Sequence, residues 1–249
     1  MNESTSATQR AVSNLLEALA SRDLLRIQLA LSPDCTWQNV PHPPAVGRIA
    51  VLAMLAPIVC WSDQVRWDVV SAAYQDGTAW LERADRFWID GEEHTASCNG
   101  VFTADSVSGT ISSVRDYVDL GEWRARLGPV FEKLANRAPI DVVARHLQAV
   151  DRRDPMAMAA DYALDAVLSR GDDELCGWFE IANYFRTVPE RLGADELVCS
   201  APSLIATGDV RVTWTLTAAN STTLTGTDVY RVEHGRIAHQ AVGLHGPDF

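Results

Sequence analysis

Positive charge is scarce in this chain. Its 249 residues hold 21 Lys and Arg against 33 Asp and Glu, a formal net charge of −12, and the single lysine is Lys133. A basic stripe for nucleic acid is therefore excluded, as is a polybasic patch for an anionic membrane surface. Lys133 falls in a polar stretch between elements, so Schiff-base chemistry has no lysine to use elsewhere. No run of about 20 apolar residues is present, and no transmembrane helix is expected. The opening MNESTSATQR has no hydrophobic signal core, which predicts a cytoplasmic protein. The five cysteines, Cys35, Cys60, Cys98, Cys176 and Cys199, are scattered and form no C-x-x-C pair, so neither a zinc ribbon nor a redox motif is indicated. They read as reduced, mostly buried thiols. The sequence also lacks H-x-x-x-H or carboxylate–histidine metal spacing, a G-x-S-x-G elbow, a G-x-G-x-x-G turn and a phosphate-binding loop. Hydrophobic residues make up 47 % of the chain and charged ones 22 %, which suits a folded globular protein.

What is present is one plan written twice. In the first copy, Val12, Leu15, Leu16 and Leu19 place a helix over 7–21, with a second over 23–31. A short strand follows over 35–39. After the Pro-rich PHPPAVG (41–47), an apolar helix is expected over 48–59. Four strands are then predicted over 65–74, 78–89, 94–104 and 109–120. Asp76-Gly77, Asp90-Gly91 and Ser108-Gly109 are their hairpin signals. GPVFEKLANRAP (128–139) reads as a link. The second copy has helices over 140–151 and 155–162, a strand over 165–169, and a helix over 174–192. Strands over 197–206, 209–218, 224–233 and 236–244 complete it. Helices followed by a run of antiparallel strands indicate an α+β fold. The expectation is two small cone-shaped domains, 1–128 and 129–249, each with a pocket between its sheet and its helices.

One strand breaks the usual inside–outside rule. In TAWLERADRFWI, Leu81, Arg83, Asp85 and Phe87 share one face. If that face is interior, an ion pair sits in an apolar cavity. Such a pair is a poor stability device, and perturbed carboxylates cluster at active sites. The bland alternative exposes Arg83 and Asp85, but it buries Glu82 and Arg86 beside Trp80 and Trp88 instead. Asp116 shares a face with Val114 and Val118 and can point into the same pocket, with Asp119 as its rival. Cys35, Trp37 and Asn39 alternate onto one face. There Trp37 supplies an indole donor and Asn39 an amide able to orient water.

These segments together resemble the limonene-1,2-epoxide hydrolases, which have the NTF2-like fold. The likeness lies in WQNVPHPPAVGR (37–48), Arg83-x-Asp85, GVF (100–102) and RDYVD (115–119), and covers roughly residues 8–125. The resemblance implies a cofactor-free Asp–Arg–Asp triad that opens an epoxide in one step. Asp116 would be the base on water and Asp85 the acid on the epoxide oxygen. Arg83 would bridge them, and Asn39 would help to hold the water. Two positions depart from the family: Trp37 replaces a tyrosine, and Val114 replaces a tryptophan. A less firmly held water and a larger pocket would follow. A substrate's own hydroxyl could then attack, which would make the enzyme a cyclase forming cyclic ethers.

The second half is similar to SnoaL-like and other NTF2-like domains, most clearly through GWFEIANYFRTVPERLG (177–193). Equal spacing puts Arg211 at Arg83, Thr213 at Asp85 and Val242 at Asp116, so the triad is absent there. Asp228 and His239 remain as weak candidates for a second site. A pseudo-dimer of the two halves is expected, with Trp80 and Trp88 on an outer sheet face suited to an interface and further dimerisation left open. The substrate implied is a small hydrophobic epoxide from natural-product metabolism. Two other readings stand beside this one. The first is a SnoaL-like aldol cyclase or isomerase using Asp116 or Asp228 alone. The second is a protein that binds a hydrophobic ligand without turnover.

Overall fold

A computed structural model describes residues 3–105, 107–219 and 222–245. The chain divides into two compact units, one ending at Phe131 and the next beginning at Glu132. The α+β architecture in two parts is the one expected from the sequence.

The first unit opens with α1 (Glu3–Ala20), α2 (Leu24–Ala30), β1 (Leu31–Asn39), β2 (Ala45–Val46) and α3 (Arg48–Trp61). The long strands β3 (Gln64–Gln75), β4 (Thr78–Ile89), β5 (Glu92–Ala104) and β6 (Ile111–Val118) follow, then α4 (Leu120–Arg126) and α5 (Gly128–Ala135), within which the boundary between the units falls. The sheet order is β2-β1-β6-β5-β4-β3. Every pairing is antiparallel except β1 with β6, which is parallel. Helix α1 lies across β3 to β6, while α3 flanks β1 and β2.

The second unit repeats the order with α6 (Pro139–Asp151), α7 (Pro155–Ala160), β7 (Tyr162–Arg170), β8 (Asp173–Cys176) and α8 (Trp178–Leu192). Its remaining strands are β9 (Glu196–Cys199), β10 (Ser203–Leu204), β11 (Val210–Thr217), β12 (Thr223–Glu233) and β13 (Arg236–His245). The main sheet runs β10-β11-β12-β13-β7-β8, and β9 pairs beside β10 on β11. Again one pairing, β13 with β7, is parallel.

The repeat extends to turn chemistry. Asp23 caps α2 by accepting from the backbone N–H groups of Leu25 and Arg26, and Asp154 caps α7 in the same way through Met156 and Ala157. Each cap satisfies orphan donors of a first helical turn. Gly47 and Gly177, at φ 83° and 85°, precede α3 and α8. Their N–H groups bond back to the carbonyls of Cys35 and Ala166 at 2.8 Å. Asp76-Gly77 and Asp90-Gly91 both adopt positive φ, as tight hairpins between right-twisted strands require.

Three expectations need correction. The stretch 120–135, read as the end of a strand and a link, forms α4 and α5. Lys133 therefore stands on a helix. Trp123, Leu127 and Phe131 recur every four residues and pack on Val65 and Phe87; the Gly128-Pro129 pair at the start of α5 hid that spacing. The start of the helix expected over 174–192 is instead β8, because Gly177 ends the extended run before α8 begins. The strand expected over 197–206 is two short strands, interrupted at Pro202, which has no N–H for a ladder.

Candidate active site

The interior of the first sheet is set by β4, whose burial alternates along its length. Leu81, Arg83, Asp85 and Phe87 face inward, with Arg83 1 % and Asp85 6 % exposed. Trp80 on the opposite face is 44 % exposed, so the even face is the outer one. On β6, Asp116 is 4 % exposed. Its rival Asp119 instead caps α4, accepting from the N–H groups of Gly121 and Glu122.

Arg83 lies between the two carboxylates. Its Nε donates to Asp85 Oδ1 at 2.7 Å, and its Nη2 stands 2.8 Å from Asp116 Oδ1. The second contact is an ion pair whose N–H is not aimed along a hydrogen-bond line. The guanidinium carbon is 4.4 Å from the Trp67 ring centroid and 5.2 Å from that of Phe102. These are cation–π distances in a desolvated setting.

Trp37 Nε1 donates to Asp116 Oδ2 at 2.9 Å. The parallel pairing of β1 with β6, which sets Trp37 opposite Val114 and Asn39 opposite Asp116, places the indole there. Asn39 lines the same cavity, but its amide contacts Met54 Sδ at 3.9 Å. Of the five residues singled out from the sequence, four are thus joined directly, while Asn39 stands at the cavity wall beside them.

Gly100 is what lets the cluster fit. A Cβ there would lie 2.1 Å from Arg83 Nη1 and 2.8 Å from Asp116 Oδ1. The β5 strand therefore has to pass the ion triad without a side chain. Gly100, Trp67 and Cys98 were not recognised from the sequence. The GVF run held the signal for Gly100, since a glycine inside a strand marks a close approach.

Two acids and one cation leave the cluster short of positive charge. Burial pushes Asp85 up to about 6; Arg83 opposes that rise and the negative charge of Asp116 adds to it. Burial works against the Arg83 charge, but Asp116 and Asp85 outweigh it and hold the guanidinium above its ordinary range. Burial, reinforced by Asp116, raises the Cys98 thiol, so Cys98 is a neutral wall group. Asp85 can therefore keep its proton up to about pH 6, where an ordinary carboxyl has lost it, which is the state a general acid needs.

Asp85 and Asp116 line a cavity of about 260 Å³, and Arg83 is fully buried beside them. Leu55, Pro57 and Ile58 of α3, Phe87, Trp123 and Phe131 supply its apolar walls. The site can thus hold an apolar molecule with one polar group against the acids. Among the described residues, no group of three or more His, Cys, Asp or Glu side chains is placed to hold a metal ion. None of the helices searched is long and apolar enough to cross a membrane.

In the second unit, the ladders correct the register expected from spacing. Gly100 pairs Leu81 and Asp116, and Asp228 pairs Val212 and Val242. Stepping along β4 and β11 from there sets Trp214, not Arg211, at the place of Arg83. Leu216, not Thr213, stands at that of Asp85. Arg211 and Thr213 are on the exposed face. Val242 does occupy the place of Asp116, so the triad is absent. His239 accepts or shares a hydrogen bond with Ser169 at 3.1 Å and is not among the residues lining a cavity there.

The chain is similar to known proteins over part of its length. Residues 143–240 match the model of the SnoaL-like domain family. Among solved structures, a limonene-epoxide-hydrolase-like epoxide hydrolase from M. tuberculosis is 24 % identical with a TM-score of 0.42, covering 51 % of this chain and 93 % of that one. A protein from Shewanella denitrificans named for SnoaL-like polyketide cyclases is 9 % identical with a TM-score of 0.43, covering 49 % and 97 %. An NTF2-like protein of unknown function from Burkholderia pseudomallei is 18 % identical with a TM-score of 0.42, covering 48 % and 96 %. Each of these is about half as long as this chain.

Proposed function

We propose that the first unit is a cofactor-free epoxide-opening enzyme. The observation that carries this reading is the buried Asp85–Arg83–Asp116 cluster, whose two acids line an apolar cavity, with both carboxylates on one guanidinium. An epoxide is a strained ether, and it opens in one displacement when a base and an acid act together.

In this reading the oxygen of water, or of a hydroxyl on the substrate itself, attacks an epoxide carbon while Asp116 takes its proton. The carbon–oxygen bond breaks as Asp85 delivers its proton to the departing oxygen. The proton now on Asp116 must return to Asp85 before the next turnover. Arg83 holds the two acids at a fixed separation throughout. Its charge favours the anion on whichever carboxylate has just lost a proton. Trp37 donates to Asp116 Oδ2, which fixes the carboxylate plane but occupies a lone pair that water would otherwise use. An indole cannot itself accept from water. With Asn39 facing Met54, few groups stand ready to orient a free water, which favours a nucleophile carried on the substrate. A hydrophobic natural-product epoxide bearing an internal hydroxyl fits that requirement.

The test is turnover of a panel of epoxides by the full chain and by Asp116→Asn, Asp85→Asn and Arg83→Ala. Consumption by the parent protein and loss in all three variants is expected. Full turnover in any folded variant would move the chemistry elsewhere. The SnoaL-like match over 143–240 favours one other reading, an aldol cyclase or isomerase with a single acid. In that case Arg83→Ala would leave activity on the carbonyl substrate unharmed.

A further inference from the structure

The second unit has its own cavity, of about 150 Å³, and a buried acid within it. Asp228 is 8 % exposed and lines the wall. Oδ1 accepts from Trp214 Nε1 at 2.8 Å. Oδ2 accepts from Gln240 Nε2 at 2.7 Å and from the Tyr230 hydroxyl at 3.1 Å. The Gln240 amide is itself oriented, because its Oε1 accepts from the Tyr162 hydroxyl. All the groups that touch the carboxylate are neutral. His146 adds no charge, since burial pushes it down to about 4.

A carboxylate offers about four acceptor sites. Three are filled here, and the one left is on Oδ1. Trp214 and Tyr230 meet the carboxylate through their polar edges, Tyr184 and Phe185 line the same cavity, and the Arg191 guanidinium carbon lies 5.6 Å from the Tyr184 ring centroid. The first unit solves the same problem internally. There a cation, Arg83, fills the space between acid and rings. In the second unit the matching strand position is Trp214, Asp228 stands at the place of Gly100, and among the described residues no cation touches its carboxylate.

We infer that the second cavity is a binding site for a small organic ammonium ion, with Asp228 as its counter-ion. The ligand's N–H takes the remaining acceptor site of Asp228 Oδ1. Its cationic head stays on the carboxylate, and its carbon body meets Leu197, Val212 and Leu216. Unpaired burial of a charge is costly, so recognition requires both the ligand charge and the carboxylate. The rim does not select by sign, because the grooves beside the cavity carry Arg170 and Arg191 on one side and Asp151 and Glu196 on the other. The site is separate from the epoxide-opening cluster and stands or falls without it.

The experiment is calorimetric titration of the full chain at pH 7 with three probes of one shape: benzylammonium, benzyl alcohol and benzoate. Benzylammonium is expected to bind at least tenfold more tightly than benzyl alcohol, with no binding of benzoate. Asp228→Asn is expected to remove at least tenfold of the ammonium affinity and to leave the alcohol unchanged. Indole N–H resonances of the parent protein give an independent readout should that variant fail to fold. The Trp214 signal, assigned with Trp214→Phe, should move on adding benzylammonium, and that of Trp37 should not. Equal binding of alcohol and ammonium, unaltered binding by folded Asp228→Asn, movement of Trp37 instead of Trp214, or no binding of any probe would each overturn the inference.

Discussion

The two halves of this chain both place a buried acid in a pocket, from different strand positions, and then treat it differently. In each, a buried carboxylate lines a mostly apolar cavity, an indole N–H bonds to it, and a bulky group packs over a strand glycine. In the first half the bulky group is the Arg83 guanidinium at Gly100. In the second it is the Trp214 ring at Gly226, where an added Cβ would lie 2.1 Å from the indole. The places of Arg83, Asp85, Asp116 and Gly100 hold Trp214, Leu216, Val242 and Asp228 in the second half, which separates a cluster with two acids and a built-in cation from a lone acid without one. The first can keep a proton on Asp85 up to about pH 6. The second can offer one carboxylate to a ligand.

The largest effects that would break this comparison lie in the triad. Asp116→Asn and Asp85→Asn are each expected to lower epoxide turnover by about 10²–10⁴, the usual range for a lost general acid or base. Arg83→Ala should do the same and also destabilise the first unit by about 3–5 kcal/mol, since it strands two buried carboxyls. Steady-state kinetics and thermal melts read both.

Gly100→Ala comes next. Its Cβ meets Arg83 Nη1 and Asp116 Oδ1, and overpacking of this kind costs about 1–3 kcal/mol. Turnover should fall with it, because the guanidinium must shift. The matching Gly226→Ala should weaken benzylammonium binding by displacing Trp214 from Asp228.

A pH profile sharpens the contrast further. Asp85 must be protonated to act as the acid, so kcat/KM should fall as pH rises through about 6. The same raised value has a sign for stability. Between its ordinary 3.8 and about 6, the unfolded chain releases a proton that the folded chain keeps. Stability from this group is thus fully present below 3.8 and lost as pH rises to about 6. An Asp85→Asn variant should lose that part of the stability profile.

Trp37→Phe removes one donor to Asp116 Oδ2 and keeps an aromatic ring. It should cost about 1.5–3 kcal/mol in folding as a hydrogen bond to a charged group and should lower turnover less than any triad variant. The smallest effect is expected from Asp119→Ala. That change removes the cap of α4 at about 1 kcal/mol and leaves turnover intact, which separates Asp119 from Asp116.

Much of this was legible in the sequence because strand periodicity and hairpin turns are local signals. Arg83 and Asp85 shared a face with Leu81 and Phe87, and an ion pair in that company stood out. Asp116 could be placed only by its neighbours Val114 and Val118, and Asp119 was separated from it only by a helix cap visible in three dimensions. The register of the second sheet was misread because equal spacing ignores the unequal turns. Backbone ladders, not spacing, set Trp214 against Arg83. Trp123 and Phe131 were missed as cavity walls because Gly128-Pro129 broke a helical pattern into two short helices. The network on Asp228 joins residues from β7, β11, β12 and β13, and no local signal reports a contact of that kind.

The central claim, that the Asp85–Arg83–Asp116 cluster opens an epoxide by attack of an oxygen nucleophile, is tested most directly with ¹⁸O-labelled water. The full chain is given a panel of epoxides, some with an internal hydroxyl, and products are read by mass. The account predicts consumption of epoxide to unlabelled cyclic ether where an internal hydroxyl is in reach, or to diol with one labelled oxygen where it is not. A folded protein that consumes none of them would contradict it.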